Sequence, residues 1–165
     1  MSIGLVFIIA LLIFLVIVIL DFYITHKKDD KNSISFKESL DLAELPIITF
    51  YCNDVKLNFL LDTGSNLSHI NKSVLPTIGN NVLKESSVSV VGINGNPVKS
   101  GLCELTVKYK NLHFTEEFVV SDLDSVFSQV KQNTGVQIHG ILGSKFFETY
   151  KYVIDFKDLT AYIKR

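Results

Sequence analysis

Apolar and polar positions alternate through most of the chain after residue 46. In the run VKLNFLL, residues 55–61, every second side chain is apolar and would share one face, which is typical of a half-buried strand. The run IITFYC, residues 47–52, comes just before it, and the pair Asn53-Asp54 separates the two. Two strand-like runs divided by a turn pair predict a β-hairpin.

The same alternation continues towards the carboxyl end. Val88 and Val90 belong to one run, and Leu105, Val107 and Tyr109 to the next, with a glycine- and proline-containing turn between them. Residues 152–163 predict a closing hairpin, and residues 122–132 and 144–150 predict short helices, the second capped by Ser144. Strand signals every 8–12 residues with few helices predict a small closed or sandwiched β-domain.

The amino-terminal part of the chain has a different pattern. Residues 3–20, IGLVFIIALLIFLVIVIL, contain no charge and no proline. Because a helix rises ~1.5 Å per residue, this run would extend about 27 Å, close to the ~30 Å hydrocarbon core of a bilayer. A signal peptide is the alternative, but no Lys or Arg precedes the run and no A-x-A site follows it. We therefore expect a transmembrane anchor in residues 1–25, a charged linker in residues 26–45 and one domain in residues 46–165.

The charges beside the expected span bear on its orientation. Lys27, Lys28 and Lys31 follow the span and no basic residue precedes it, which favours a cytoplasmic domain by the positive-inside rule. Two intervening acids leave the side of the membrane open.

Composition excludes several classes of function. The formal net charge is −1 and no basic stripe is present, so we expect no nucleic-acid partner. Cys52 and Cys103 are far apart and match no metal-ligand spacing, and no H-E-x-x-H or C-x-x-C motif occurs. We expect two small apolar strand residues, with a disulfide left open, and neither a metal nor a cofactor.

An acid stands where the apolar strand 55–61 ends. Asp62 follows Leu61 directly and is followed by Thr63, Gly64 and Ser65. Burying an unpaired carboxylate costs several kcal/mol or forces it to become neutral. The position therefore calls for a structural or chemical role.

Three segments in this order resemble the aspartic proteases, and in particular their retropepsin-like branch. The run Leu60–Ser65 resembles the apolar-apolar-Asp-Thr-Gly-Ser signature. The hairpin VVGINGNPV, residues 90–98, resembles the flap, and GILG, residues 140–143, resembles the element beneath the active loop. The resemblance covers roughly residues 46–165 and implies an all-β, single-lobe retropepsin-like acid-protease barrel with one or two short helices. The site residues that it implies are Asp62 as catalytic acid, Thr63, Gly64 and Ser65 as active-loop support, Val91, Gly92, Ile93 and Gly95 in a substrate-binding flap, and Ile141, Leu142 and Gly143 under the loop.

The resemblance also implies a reaction and an assembly. In such enzymes two facing carboxylates share a proton and activate a water that attacks a peptide bond. This chain carries one Asp-Thr-Gly and no Asp-Ser-Gly, so one chain offers half a site. We therefore expect a homodimeric aspartic endopeptidase acting on peptide or protein substrates, a single-pass protein of a bacterial inner membrane. We also expect the Ser65 hydroxyl to donate to Asp62 and to extend activity towards acidic pH relative to a Ser65→Ala variant.

Other readings remain for the same residues. The alternative to the enzyme is a catalytically inactive binding or scaffold domain on a membrane, with Asp62 satisfied by backbone amides in a tight turn. An unrelated β-sandwich adhesion module explains the alternation but not the three ordered segments. A serine hydrolase using Ser65 or Ser68 with His69 is disfavoured because no G-x-S-x-G motif surrounds them.

Overall fold

The computed structural model describes residues 4, 11–21, 33–79, 83–91 and 97–164. The chain divides into two compact units between Ser33 and Ile34. In the first unit residues 11–21 are helical, and the ten apolar side chains from Leu11 to Leu20 are all exposed, by 48% to 70%. Across the described ranges, no helix is both long enough and apolar enough to span a membrane. Residues 3 and 5–10 of the expected span lie outside the described residues.

The second unit is built mainly from strands. Its described strands are β1 (Ile34–Ser35), β2 (Ile47–Cys52), β3 (Val55–Leu61), β4 (His69–Asn71), β5 (Leu83–Val91), β6 (Pro97–Tyr109), β7 (Leu112–Ser121), β8 (Gly140–Leu142), β9 (Tyr152–Asp155) and β10 (Thr160–Ile163). Its described α-helices are α1 (Lys37–Ala43), α2 (Asp124–Thr134) and α3 (Ser144–Tyr150), with a 3-10 turn at Lys72–Val74.

The larger sheet closes on itself. Its strand order is β2-β3-β8-β4-β7-β6-β5, and a further pairing of Tyr51 with Lys108 joins β2 to β6. This closure makes a barrel, so the all-β expectation is confirmed. The β2–β3 hairpin also has the predicted turn, since Asn53 and Asp54 adopt φ values of 47° and 64°, which Asn and Asp tolerate better than most residues.

Aromatic side chains fill the barrel. Neighbouring rings of one phenylalanine cluster have centroids 5.2 to 6.3 Å apart. Its members are Phe50, Phe59, Phe114, Phe118 and Phe146, and none of them is more than 1% exposed. Such pairs are each worth about 0.5–1.5 kcal/mol beyond their buried area. They give β3 and β7, which lead to the site described below, a rigid support.

The two cysteines are free, buried thiols. Burial and the neighbouring Cys52 raise the pKa of Cys103 to about 11. At neutral pH its thiol is therefore protonated, as the small apolar interpretation of these residues requires.

Residues 34–45, which the charge pattern assigned to the linker, pack in the folded unit as β1 and α1. Ile34 pairs with Ala161 of β10, and Phe36 is 1% exposed. The second sheet, in the order β1-β10-β9, thus joins both ends of this unit. Apolar side chains at Ile34 and Phe36 explain the packing, because burying each of them removes a large apolar surface from water.

Candidate active site

Asp62 lies directly after β3, where two parallel strands end side by side. β3 pairs with β8 in parallel, with Leu61 opposite Leu142. The backbone N–H of Asp62 donates to the carbonyl of Leu142 at 3.0 Å, and the N–H of Leu61 donates to the carbonyl of Pro46 at 2.9 Å. The ladder thus fixes the backbone up to the acid, which leaves the carboxylate as the first side chain beyond the sheet.

The turn after Asp62 holds its carboxylate. The N–H of Gly64 donates to Oδ1 of Asp62 at 2.9 Å, and the N–H of Ser65 donates to the Asp62 carbonyl at 3.2 Å. A Cβ at position 64 would lie 3.1 Å from the same Oδ1, so a side chain there would crowd the carboxylate. Asp62 is itself half-buried, while Thr63 is exposed and makes no hydrogen bond within the described part of the chain.

The segment predicted to lie under the loop does contact it. A Cβ on Gly143 would stand 2.5 Å from the carbonyl oxygen of Leu67 and 3.0 Å from that of Ser65. The first turn of α3 then donates into the loop: the N–H of Ser144 bonds the Ser65 carbonyl at 2.8 Å, and the N–H of Lys145 bonds the Asn66 carbonyl at 3.2 Å. Leu142 and Gly143 are buried and Ile141 is partly buried, so the loop rests on strand β8 and the start of α3.

The hydroxyl groups of Ser65 and Ser144 donate to acceptors other than those expected from the sequence. The Ser65 hydroxyl donates to the carbonyl of Leu67 at 2.8 Å, not to Asp62; a hydroxyl has a single proton to donate. The helix α3 begins at Ser144 with Gly143 at the N-cap, and the Ser144 hydroxyl donates to the Ser65 carbonyl at 3.1 Å. Both expectations were wrong because backbone carbonyls of the loop, those of Leu67 and Ser65, accept these two hydroxyl protons.

The predicted flap lies mostly outside the described residues. Strands β5 and β6 pair in antiparallel fashion up to Val91 opposite Pro97, so the chain does reverse between them. Gly92, Ile93 and Gly95 are not described.

Two titratable residues near the loop were not predicted from the sequence. His69 of β4 shares a hydrogen bond of 2.9 Å between its Nδ1 and the Ser121 hydroxyl. Burial lowers the pKa of His69, and the nearby charge of Asp62 opposes that shift. Glu116 of β7 is only 8% exposed, and its burial raises the pKa of its carboxyl. The sequence could have identified Glu116, because it is an acid at an inward position of a strand whose apolar and polar residues alternate.

The described residues hold no group of three or more His, Cys, Asp or Glu side chains arranged to bind a metal ion. At the loop, the Asp62 carboxylate is held by the backbone N–H of Gly64. A single carboxylate in this position serves as a general base or a hydrogen-bond acceptor, whereas sharing a proton requires a second acid within about 3 Å.

Comparison with known proteins agrees with this geometry. A family model described as aspartyl protease matches residues 48–146, and a search of curated proteins found no match. A retropepsin-like aspartic protease from Rickettsia conorii is similar in structure, with a TM-score of 0.52 and 23% identity over 79% of this chain and 87% of its own. The retroviral protease-like domain of Ddi1 from Leishmania major is also similar in structure, with a TM-score of 0.52 and 15% sequence identity. The match covers 73% of this chain and 89% of that domain. For EIAV protease complexed with the inhibitor HBY-793, the TM-score is 0.49 and the sequence identity is 23%. The match covers 66% of this chain and 90% of that protease.

The family model covers more than half of the chain, and its span contains the acid loop, the β5–β6 hairpin and the segment under the loop. The chain therefore belongs to the aspartyl protease family, and its fold is that of a retropepsin-like aspartic protease.

Proposed function

We propose that this protein is an aspartic endopeptidase that hydrolyses peptide bonds with a water activated by two Asp62 carboxylates, one from each copy of a homodimer. The observation that carries the proposal is the acid loop itself. Asp62 is anchored by the N–H of Gly64 at the end of two paired strands, and one chain supplies one such acid.

The mechanism follows from placing two such acids together. Like charges about 3 Å apart cannot both ionise, so the pair holds one proton between them. The ionised Asp62 takes a proton from the water as its oxygen attacks the peptide carbonyl, and the protonated Asp62 donates to the developing oxyanion. Proton transfer to the amide nitrogen then releases the two peptide products. No metal or cofactor enters this scheme.

An isologous dimer would complete the site. In such an interface the same surface of both copies meets, so Asp62 of one chain faces Asp62 of the other. The exposed Thr63, which has no hydrogen-bond partner within the described part of its own chain, is available for a bond to the partner loop. A bond of this kind would fix the separation of the two acids, on which the rate depends steeply.

We further propose that residues 3–20 anchor the enzyme in a bacterial inner membrane. The support is the described part of that run, a helix whose ten apolar side chains at 11–20 are all exposed. Anchoring two copies in one membrane raises their effective concentration and favours the dimer. The lysines after the span favour a cytoplasmic catalytic domain.

A second candidate is a catalytically inactive binding or scaffold domain with the same fold. The observation in its favour is the bond from the Gly64 N–H to Asp62, since an acid satisfied in its own turn has a structural role without any chemistry. The intact Asp-Thr-Gly-Ser sequence favours the enzyme.

Cleavage of a peptide library by the full-length chain in mild detergent separates the two candidates. We expect wild type to cleave and Asp62→Asn to lose all cleavage. Asp155→Asn is the matched control, because Asp155 also accepts backbone N–H groups in a turn, from Lys157 at 2.9 Å and Asp158 at 3.2 Å. Equal activity of wild type and Asp62→Asn, or no cleavage by a folded wild type, would leave the binding domain as the function.

Mixing the two proteins tests the dimer. When Asp62→Asn is present in about ninefold excess and subunits exchange freely, about nine in ten wild-type chains pair with an inactive copy. Activity per wild-type chain should then fall to about a tenth. An activity that does not change with added Asp62→Asn would contradict a shared site.

A further inference from the structure

His69 of β4 lies on the same face of the barrel sheet as the carboxylate of Asp62. Side chains alternate between the two faces of a strand, and the neighbouring Leu61 and Ile70 point into the core, where they are 5% and 0% exposed. Asp62 and His69 therefore point to the outer face, and both are half-buried. A peptide that reaches Asp62 must lie over this face.

Strand pairing places His69 beside the apolar residues next to the acid. His69 lies opposite Ile141 of β8, and Ile141 lies opposite Leu60 of β3, two residues before Asp62. Neighbouring strands are ~4.8 Å apart and a strand rises ~3.3 Å per residue, so the Cα atoms of His69 and Asp62 are about 12 Å apart. An extended peptide covers this distance in about four residues. A substrate bound at Asp62 therefore has side chains within reach of His69.

The imidazole of His69 is bonded through one nitrogen and open at the other. Its Nδ1 shares a hydrogen bond of 2.9 Å with the hydroxyl of Ser121, two residues after Val119, which pairs with His69. Nδ1 is the acceptor that the described residues offer to the Ser121 proton, which leaves the imidazole proton on Nε2. Within the described part of the chain, Nε2 has no hydrogen-bond partner. Nε2 is therefore a donor available to a ligand.

The backbone of His69 is held firmly in the sheet. It pairs with β8 through Ile141 on one side and with β7 through Val119 on the other. A Cβ on Gly140 would stand 2.5 Å from the His69 carbonyl oxygen, so β4 and β8 are in close contact here. Because backbone and ring are both held, the position of Nε2 is set before a peptide binds. A donor placed in advance discriminates strongly between ligands that can and cannot accept its hydrogen bond.

The chemistry of Nε2 favours a carboxylate as its partner. The neighbouring side chains in the same row, Leu60 and Ile141, are apolar and offer no competing hydrogen bond. A carboxylate accepts from the neutral imidazole and forms an ion pair with the protonated one, and charge-assisted bonds are roughly twice as strong as neutral ones. An ammonium or guanidinium group cannot accept a hydrogen bond, and an apolar side chain would leave the Nε2 proton without a partner.

We propose that His69 is a specificity-determining residue that selects peptides with an Asp or Glu side chain within about four residues of the cleaved bond. The inference rests on the proposed peptidase function and names its substrate class. In the proposed dimer a two-fold axis relates the two Asp62 carboxylates, so the second His69 lies equally far from them on the other side. We therefore expect the preference for an acid at two positions, one on each side of the cleaved bond.

Cleavage of a peptide library by the full-length chain in mild detergent measures the preference. Each position near the cleaved bond carries Glu, Gln, Leu or Lys in turn. We expect kcat/KM to be about 10- to 100-fold higher for Glu than for Leu at one position on each side, as a hydrogen bond to a charged group implies. Gln, a neutral acceptor, should fall between them. A preference for Leu or Lys over Glu at every position would overturn the proposal.

Variants of the histidine and its partner test the assignment. His69→Leu should lower kcat/KM for the Glu peptide about 10- to 100-fold and change that of the Leu peptide by less than about threefold, whereas a merely structural role would lower both alike. Ser121→Ala frees the ring and should lower the ratio of the two values at least about threefold. An unchanged ratio in His69→Leu would overturn the proposal, as would an unchanged ratio in Ser121→Ala should His69→Leu not fold.

His113→Leu is the matched control. His113 is an exposed histidine of β7, six residues before Val119 and thus about 20 Å along the strand from the row of His69. Its replacement should leave the ratio of Glu to Leu cleavage unchanged. An equal change in His113→Leu and His69→Leu would overturn the assignment to His69.

Peptide binding separates this inference from the proposed function. If wild type cleaves no peptide, the peptidase function fails, and the isotope-labelled wild-type chain is titrated with the same Glu and Leu peptides. A change in the nuclear magnetic resonance signal of His69 Nε2 with the Glu peptides and not with the Leu peptides would support a carboxylate-binding His69. An Nε2 signal that responds to neither set, or equally to both, would overturn it.

Discussion

The tightest contact under the acid loop gives the sharpest test of the site. Replacing Gly143 by Ala adds one methyl group that would stand 2.5 Å from the Leu67 carbonyl oxygen and 2.6 Å from its carbonyl carbon. Ordinary contact begins at 3.4 Å, so the methyl is 0.9 Å too close to backbone that cannot rotate aside. The loop that carries Asp62 must therefore shift by nearly 1 Å.

That displacement sets the expected magnitudes. Forcing one extra methyl group into a packed site costs about 1–3 kcal/mol of stability. A 1 Å misplacement of a reacting group costs up to about 10²-fold in rate. We therefore expect Gly143→Ala to lose about 1–3 kcal/mol in the free energy of unfolding, and about 10- to 100-fold in kcat. KM should change much less, because Gly143 is buried and the methyl would press on the backbone of Leu67 and Ser65.

Gly140→Ala is the matched control, because it introduces a steric clash of the same size. A Cβ there would also stand 2.5 Å from a backbone oxygen, that of His69, and 2.8 Å from the Phe59 ring. This position is three residues earlier in the chain and does not press on the loop. Urea unfolding and peptide cleavage of both variants give the comparison, and we expect similar stability losses but a large kcat loss only in Gly143→Ala. Equal kcat values in the two variants would refute the reasoning.

Three further predictions concern stability, each measured by urea unfolding against wild type. Tyr152→Phe should be more stable by about 1–3 kcal/mol, because the buried Tyr152 hydroxyl has no hydrogen-bond partner among the described residues; a loss of stability would contradict this. Asn71→Ala should be less stable by about 1–3 kcal/mol, since its amide donates to Asp124 at 2.7 Å and accepts the Leu123 N–H at the start of α2; an unchanged midpoint would count against that role. Burial, together with the charge of Lys131, lowers the pKa of His139 below its ordinary value. The neutral imidazole therefore stabilises the fold: its contribution to the free energy of unfolding is complete above about pH 6.5 and is lost as the pH falls through the lowered pKa. His139→Asn keeps an acceptor for the Asn58 N–H and should lose less stability than wild type between pH 7 and pH 5; parallel pH dependences would disprove it.

Local patterns in the sequence predicted the barrel well where neighbours in sequence are also neighbours in space. The hairpin of β2 and β3 is such a case, since its alternation and its Asn53-Asp54 turn lie within 15 residues. The strand β1 is the opposite case. Two residues long, it is held by Ile34 pairing with Ala161, a partner at the far end of the domain. A pattern of charges around it suggested a linker, because no local signal records a contact of that range.

The acid loop shows the same division. The Asp-Thr-Gly sequence predicted an acid directly after the strand 55–61, with Gly64 among the residues that support it, and the N–H of Gly64 does donate to Asp62. The Ser144 hydroxyl was assigned wrongly because its acceptor, the Ser65 carbonyl, lies 79 positions earlier in the chain. The Ser65 hydroxyl was assigned wrongly because the turn presents a nearer acceptor, the Leu67 carbonyl two residues further on. Glu116 was missed although its strand alternates regularly. Attention to a charged residue at an inward position would have found it.

Contacts within one chain hold the acid loop in place, and these contacts determine what the second copy of a dimer has to provide. Leu142, Gly143 and the first turn of α3 contact or bond the segment from Asp62 to Leu67, all within one domain. The outer side of the loop, with Thr63, is exposed. In the proposed dimer the partner therefore supplies the second carboxylate and fixes its distance, while each loop keeps its own shape. The backbone N–H of Gly143 donates to the Ser68 hydroxyl at 3.2 Å within one chain. Dilution below the dimer dissociation constant should thus abolish cleavage, while this amide keeps its protection from hydrogen exchange.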